Sequence, residues 1–239
     1  MTADRAIRGD RGPGGQLALG LDPATGGLID SVRPMLPTDG EGPFDDPGYL
    51  FEPWWPGIRA VLSVEGGRVQ VRGASLGDPA GRFPELAALP LVVRSDGTVL
   101  DATLMVLDPE GRPSAALLDR RLVSDDPPDS LAGTAAVVVS DVLVGGGADL
   151  GPRPFSERRA ILDELLEPTP WCQVGRGFVG EGLRVASVLA PLGFSALSAR
   201  RLDARLRRGP AGDAWFRVPL VAAPRALPPV LAVVQRLPL

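Results

Sequence analysis

The sequence predicts an α+β domain built on antiparallel sheet, and three observations carry that expectation. A tight hairpin is written at Ile58–Val64, Glu65-Gly66-Gly67 and Arg68–Arg72, where a mostly apolar run meets a glycine turn and returns in strict alternation. A long strand signal at Thr98–Leu107 ends in Asp108-Pro109-Glu110-Gly111, four residues suited to chain reversal. Short helical patterns lie between and after these strands. No internal repeat and no second composition class divides the 239 residues, so one domain is expected.

In chain order, residues 1–22 are Gly-rich, mixed in Arg and Asp, and aperiodic, which suits a mobile arm. The domain is expected over residues 23–220 and a C-terminal tail over 221–239. From Ser31, Val-Arg-Pro-Met-Leu-Pro leads through an acidic, Gly/Pro-rich loop to Asp46. Pro84–Leu89 reads as a short helix with proline in its first turn, where the missing N–H costs nothing. After Gly111 the chain is expected to return as the second arm of a hairpin, running on to Leu122. Val123–Gly133 has the composition of a solvated loop. Ala135–Val144 is a continuous, Val-rich run that suits a strand buried on both faces, and Gly145–Gly147 turns the chain. A helix is expected to open near Ser156, capped by that residue. Glu157 lies in its first turn, and Ala160, Ile161, Leu162, Leu165 and Leu166 form its inward stripe. A further helix over Glu181–Ala190 stops at Pro191, and strands are expected near Phe194–Leu202 and Ala214–Leu220. The Pro-interrupted apolar end is expected to be an edge strand or a packing tail.

Charge narrows the chemistry. All 25 basic residues are arginine; there is no lysine, histidine or asparagine, and the net charge is −4. That balance argues against a surface that tracks nucleic acid everywhere, since such surfaces gather positive charge. Cys172 is the lone cysteine, so no intrachain disulfide and no cysteine-based metal cluster is expected. No apolar run approaches the ~20 residues of a membrane span, and the N-terminus lacks an apolar signal segment. A cytoplasmic protein is the expectation, with no membrane partner.

The stretch Leu50–Leu62 reads Leu-Phe-Glu-Pro-Trp-Trp-Pro-Gly-Ile-Arg-Ala-Val-Leu, with Glu52, Gly57 and Arg59 at the spacing of Glu-x-Lys-x-Asp-Gly-x-Arg. Further blocks follow in order: Val32-Arg-Pro-Met-Leu36, Arg82-Phe-Pro-Glu-Leu86, Leu100-Asp-Ala-Thr103 with Asp108-Pro-Glu-Gly-Arg-Pro113, Val139-Ser-Asp-Val-Leu143 with Ser156-Glu-Arg-Arg159, and Gly193 to Pro219. Together they resemble the adenylation domain of ATP-dependent DNA ligases, bacterial repair and end-joining enzymes above all. The resemblance implies an antiparallel-sheet nucleotidyltransferase fold, ATP-grasp-like. About twenty residues follow Val218, too few for the OB-fold domain of that family, which is expected to be absent.

The resemblance also implies roles. Trp54 stands where the family has the lysine that takes AMP, and Pro56 where it has aspartate. An indole N–H donates only, and neither lysine nor histidine exists elsewhere to replace that nucleophile, which leaves the α-amine of Met1. No catalytic residue is therefore expected. The expected function is a catalytically inactive binding or scaffold module tied to DNA repair, partnered by DNA or a repair protein. The alternatives are a nucleotide sensor that keeps an ATP pocket, and an ATP-dependent DNA ligase. Glu52, Arg59, Asp101, Asp141, Arg200 and Arg217 are the expected remnants of the nucleotide pocket. Arg200 and Arg217 replace phosphate-contacting lysines, Ser140 replaces the aromatic that stacks on adenine, and Pro219 replaces the last lysine. Thr103 and Ser195-Ala196 stand where the family has carboxylates, so no metal site and no cofactor is expected, although the family implies ATP and Mg²⁺. One family arginine falls on Ala74, or on Arg72 with a shift. Arg201, Arg205, Arg207 and Arg208 are candidate DNA or phosphate contacts. Against these roles stand plainer ones: carboxylates that cap turns or pair with arginines, Arg59 as a salt-bridge partner, and Trp54 as core or as a plug in the adenosine site.

Overall fold

Strands form where side chains alternate, and here the alternation builds two facing sheets. The structure, a computed structural model, describes residues 27–73, 80–124 and 132–237. The expected arm over 1–22 and Ala74 lie outside the described residues. The elements are α1 (Leu28–Ser31), β1 (Met35–Leu36), β2 (Thr38–Asp39), β3 (Tyr49–Pro53), β4 (Ile58–Glu65), β5 (Arg68–Gly73), β6 (Thr98–Leu107), α2 (Ala115–Val123) and β7 (Thr134–Gly145). They continue with β8 (Ala148–Asp149), α3 (Phe155–Leu165), β9 (Cys172–Val174), β10 (Phe178–Val179), α4 (Gly182–Leu189), β11 (Ala196–Arg201), β12 (Gly209–Pro210), β13 (Trp215–Pro219) and α5 (Val230–Val234).

One sheet has the order β5-β4-β6-β7-β8, with β9 parallel against β7; the other runs β10-β3-β11-β13-β2. Beside them β1 and β12 form a short parallel pair. The main ladders are antiparallel, as expected. In the first sheet Ala60, Leu62, Leu100, Ala102, Leu104, Ala135, Val137 and Val139 point to one apolar core with Phe83, Leu86 and Leu162. In the second, Phe51, Leu197, Ala199 and Val218 point to another, covered by Val185 and Leu189 of α4 and by Val230, Val233 and Val234 of α5. On the opposite faces Glu52, Ser198 and Arg200 of one sheet and Arg59 and Asp101 of the other stand among apolar neighbours such as Val61, Val99, Met105 and Val138, and these few polar side chains create the site.

Several expectations are corrected. The chain after Gly111 is not a second hairpin arm: it is helix α2. Ser114 caps it, its side-chain oxygen accepting from the Leu117 N–H at 3.3 Å. Pro113 has no N–H for a ladder, so strand pairing stops at the single bridge Leu107–Pro113. The short helix expected from Pro84 is present, as a 3₁₀ helix that runs on to Leu91 and contains Pro90. Ser156 does not cap α3: Pro154 precedes the helix without a side-chain cap, and the Ser156 N–H is used by the Leu202 carbonyl. The inward face of α3 is Phe155, Arg158, Arg159 and Leu162, followed by Leu166, while Ala160 is exposed. Two arginines thus occupy the stripe, because carboxylates wait for them in the sheets. The apolar end is a packing tail that contains the short helix α5. Among the described residues no helix is long and apolar enough to cross a membrane.

Candidate functional site

Period-two alternation fixes what faces the cleft between the sheets. On β3, Tyr49 and Phe51 turn to the apolar core, so Glu52 turns the other way. Glu52 pairs across with Ser198, and Ser198 with Arg217; one row further along, Arg200 pairs with Trp215. The facing sheet offers Arg59 opposite Thr103, and Asp101 opposite Asp141. A register shift after Asp101 leaves Ser140 as an extra residue on β7. Glu52, Trp54, Arg59, Asp101, Ser140, Ser198, Arg200 and Trp215 line a cleft of about 110 Å³.

Two aspartates directly opposite one another repel unless cations intervene. Here they do. Arg59 grips Asp101 in a bidentate pair at 2.8 and 2.6 Å. Arg158, from the inward face of α3, grips Asp141 in the same way at 2.9 and 2.7 Å. Arg200 bridges both carboxylates, 3.6 Å from Asp101 and 3.4 Å from Asp141, and donates to the Ser140 hydroxyl at 3.2 Å. Arg159 pairs with Glu52 at 3.3 Å and reaches the Ser140 and Gly175 carbonyls. Four arginines therefore face three carboxylates, leaving one positive charge in excess at the cleft. Burial alone works to raise the Asp101 carboxyl, but the charge and hydrogen bonds of Arg59, joined by Arg200, outweigh it and hold Asp101 below its ordinary range. Burial pushes the Arg200 guanidinium down, against the pull of Asp101 and Asp141. Its Nε–H is buried without a partner among the described residues.

The aromatic wall comes from Trp215 and Trp54. The Arg200 guanidinium lies 3.8 Å from the Trp215 ring centroid and Arg59 lies 4.5 Å from it, while the indole donates to Ser198 Oγ at 2.8 Å. Trp54 meets Trp215 at 6.0 Å between centroids. Trp54 is a half-buried wall of the cleft, which stays open beside it. Trp55 is the core tryptophan, edge-on to Phe194. Gly57 holds a φ of +153°, and a Cβ there would meet the Leu104 carbonyl at 2.4 Å, so this close approach of β4 to β6 needs glycine.

The structure gathers Glu52, Trp54, Arg59, Asp101 and Arg200 around the cleft, with Asp141 directly behind. Arg217 stands at its margin, 5.7 Å from the Trp54 ring. Arg201 is tied to Asp203 and Asp213 at 3.2 and 2.5 Å, away from the cleft. Arg205, Arg207 and Arg208 are exposed and line separate shallow grooves. The sequence reading missed Arg158, Arg159 and Trp215. The signal for the two arginines was present: Phe155, Arg158, Arg159, Leu162 and Leu166 follow helical spacing, with charge inside an apolar stripe. Asp101 and Asp141 are committed to guanidinium groups, and among the described residues no three His, Cys, Asp or Glu side chains gather. This donor set does not fit Mg²⁺, which needs carboxylate oxygens of its own.

No protein-family model matches the chain. It is 26% identical over 187 residues to the SPbeta prophage-derived DNA ligase-like protein LigB of Bacillus subtilis, covering 78% of this chain and 67% of that one. It is 34% identical over 173 residues to a probable DNA ligase of Streptomyces avermitilis, covering 68% of this chain and 33% of that relative, so it spans only a third of that relative's length. A solved mycobacterial DNA ligase D, complexed with ATP and MES, superposes with a TM-score of 0.66 at 24% identity, over 80% of this chain and 60% of that one. At that identity the likeness establishes the fold. These findings correct the expectation of a non-enzyme: relatives and structural neighbours alike are named as DNA ligases, which are enzymes. One substituted nucleophile position, Trp54, did not carry so broad a conclusion.

Proposed function

We propose, for a chain whose homologues and structural neighbours are ATP-dependent DNA ligase adenylation domains, that its cleft binds the phosphate of a nucleotide or of a DNA end. Arg200 supports this reading. It is 4% exposed, it belongs to a cluster with one surplus positive charge, and its Nε–H has no partner among the described residues. A buried donor left orphaned calls for an acceptor, and an anion satisfies both the charge and the hydrogen bond. The size of the cleft supports a phosphate in particular. Whole small-molecule sites run to ~300–1,000 Å³, and about 110 Å³ holds only the charged head of such a ligand. DNA is the proposed partner, because the relatives are DNA ligases. A cytoplasmic setting agrees with the free, buried Cys172, whose thiol burial pushes up to about 12.

Calorimetric titration with inorganic phosphate, ATP and AMP, and with nicked duplex carrying or lacking a 5′-phosphate, tests the proposal. Expected is phosphate-dependent binding that Arg200→Gln weakens at least tenfold. Equal affinity for the two duplexes, with no response to phosphate or nucleotides, sinks it. Transfer of label from ATP to the chain, run alongside, reports whether the chain itself takes up the nucleotide covalently.

A further inference from the structure

On the apolar side of the second sheet, helices α4 and α5 leave a groove of about 350 Å³ between them. Val185, Val188 and Leu189 of α4 form one wall, and Ala232 and Val233 of α5 form the other with Leu237. The groove shares no residue with the cleft between the sheets. Among the described residues no hydroxyl, amide or carboxylate side chain lines it, and its polar groups are the guanidiniums of Arg184 and Arg236. Arg184 lies 5.1 Å over the Phe178 ring and pairs with Glu181 at 2.8 Å, a surface contact of little strength. Arg236 is exposed and has no ion pair or side-chain hydrogen bond among the described residues. Val188 is 49% exposed, so the apolar wall itself stands open to water.

Walls of this kind select what lies between them. Bases, sugars and peptide groups carry polar atoms that the groove would leave unpaired, at a cost. A hydrocarbon chain has none, and gains by leaving water. Two cations at the rim, with no acid in the lining, call for one anionic head, and the planar guanidinium fork matches a carboxylate. Size points the same way. Small-molecule sites begin at ~300 Å³, whereas a partner helix ~10–12 Å across fills ~400–600 Å³ with each turn of ~5.4 Å. We infer that the groove binds a medium-chain fatty acid, its tail between α4 and α5 and its carboxylate at Arg236 and Arg184. The inference is independent of the proposed phosphate site.

The test titrates the full chain calorimetrically with hexanoate, octanoate and decanoate, and with octylamine, which carries the opposite charge on the tail length of octanoate. Expected is an affinity that rises with chain length, by up to about fourfold for each methylene. Octanoate should bind at least tenfold more tightly than octylamine. Arg236→Gln should weaken decanoate about tenfold, on the scale of a hydrogen bond to a charged group. Val188→Glu, which sets an anion in the wall, should weaken it further. Both positions are exposed, and Arg236→Gln keeps the test decisive if Val188→Glu folds poorly. Arg200→Gln should bind decanoate as the parent does, which separates this groove from the cleft. The inference is overturned if affinity ignores chain length, if octylamine binds as tightly as octanoate, or if Arg236→Gln binds decanoate like the parent. An acidic amphipathic peptide that binds where decanoate does not also overturns it, and assigns the groove to a protein partner.

Discussion

Two groups of arginines in this protein share a side chain and little else. Arg158 and Arg200 lie between the sheets at no more than 4% exposure, locked to Asp101 and Asp141. Arg205, Arg207 and Arg208 follow soon after Arg200, yet they sit in water, while Arg201 is half-buried and paired with Asp203 and Asp213 at the surface. Inside, a guanidinium without its carboxylate is a stranded charge, so each pair is obligatory even though its net contribution against an apolar substitute is small or negative. Outside, high dielectric and salt reduce the same pairing to little. Burial, rather than local sequence, decides which arginines hold the fold and which are free to meet a partner.

The sharpest way to break this contrast is Arg158→Ala. It leaves Asp141 facing Asp101 with one bidentate partner removed. The expected loss is about 3–5 kcal/mol, read by urea denaturation. A change below about 1 kcal/mol would mean that the cluster relaxes like a surface pair. Next comes Gly57→Ala, which forces a Cβ against the Leu104 carbonyl at a φ of +153°. Strain of this kind costs of order 1–3 kcal/mol, and the denaturation midpoint should fall accordingly. Wild-type behaviour would show that the two strands separate easily there.

Acid titration sharpens the comparison further. Despite burial, Asp101 is held below the usual carboxylate range by the charge and hydrogen bonds of Arg59 and Arg200, so the folded state gives up the Asp101 proton more readily than the unfolded chain does. Its contribution to stability is present above the ordinary value and is lost as the pH falls through the lowered one. Stability should therefore decline below about pH 4. Asp101→Asn should flatten that part of the profile, as measured by melts across a pH series. An identical acid limb in the variant would place the sensitivity elsewhere.

Much of this architecture was legible, and the failures have physical causes. The Glu65–Gly67 hairpin, the β7 run and the closing strands β11 and β13 announce themselves through alternation and turn chemistry, both local properties. Helix α2 was lost because the turn at Asp108–Gly111 suits a hairpin, and only the Ser114 cap and Pro113 divert the chain. Within the cleft, Glu52, Arg59, Asp101 and Arg200 were identified by motif spacing. Arg158 and Arg159 were not, because a charged residue on a helix is normally solvated, and only tertiary partners some 17 residues or more away turn them inward. Inactivity was the overreach, since a nucleophile position describes one step and not the whole domain.

The exposed group supplies the smallest effect on stability and the clearest readout of a partner. Replacing Arg205, Arg207 and Arg208 together by glutamine removes three solvent-exposed charges and no side-chain hydrogen bond among the described residues. The denaturation midpoint should stay within experimental scatter. Binding of nicked duplex should respond in a different way. Each phosphate neutralised by an arginine contributes about 0.9 to the slope of log affinity against log salt, so loss of all three should lower that slope by about 2–3. Arg200→Gln should instead weaken duplex binding with a much smaller change in slope, because its contact lies inside the cleft and serves one phosphate. Equal slopes for the triple variant and the parent would assign these arginines to solvation alone and leave the cleft as the place where the charge of this domain meets a ligand.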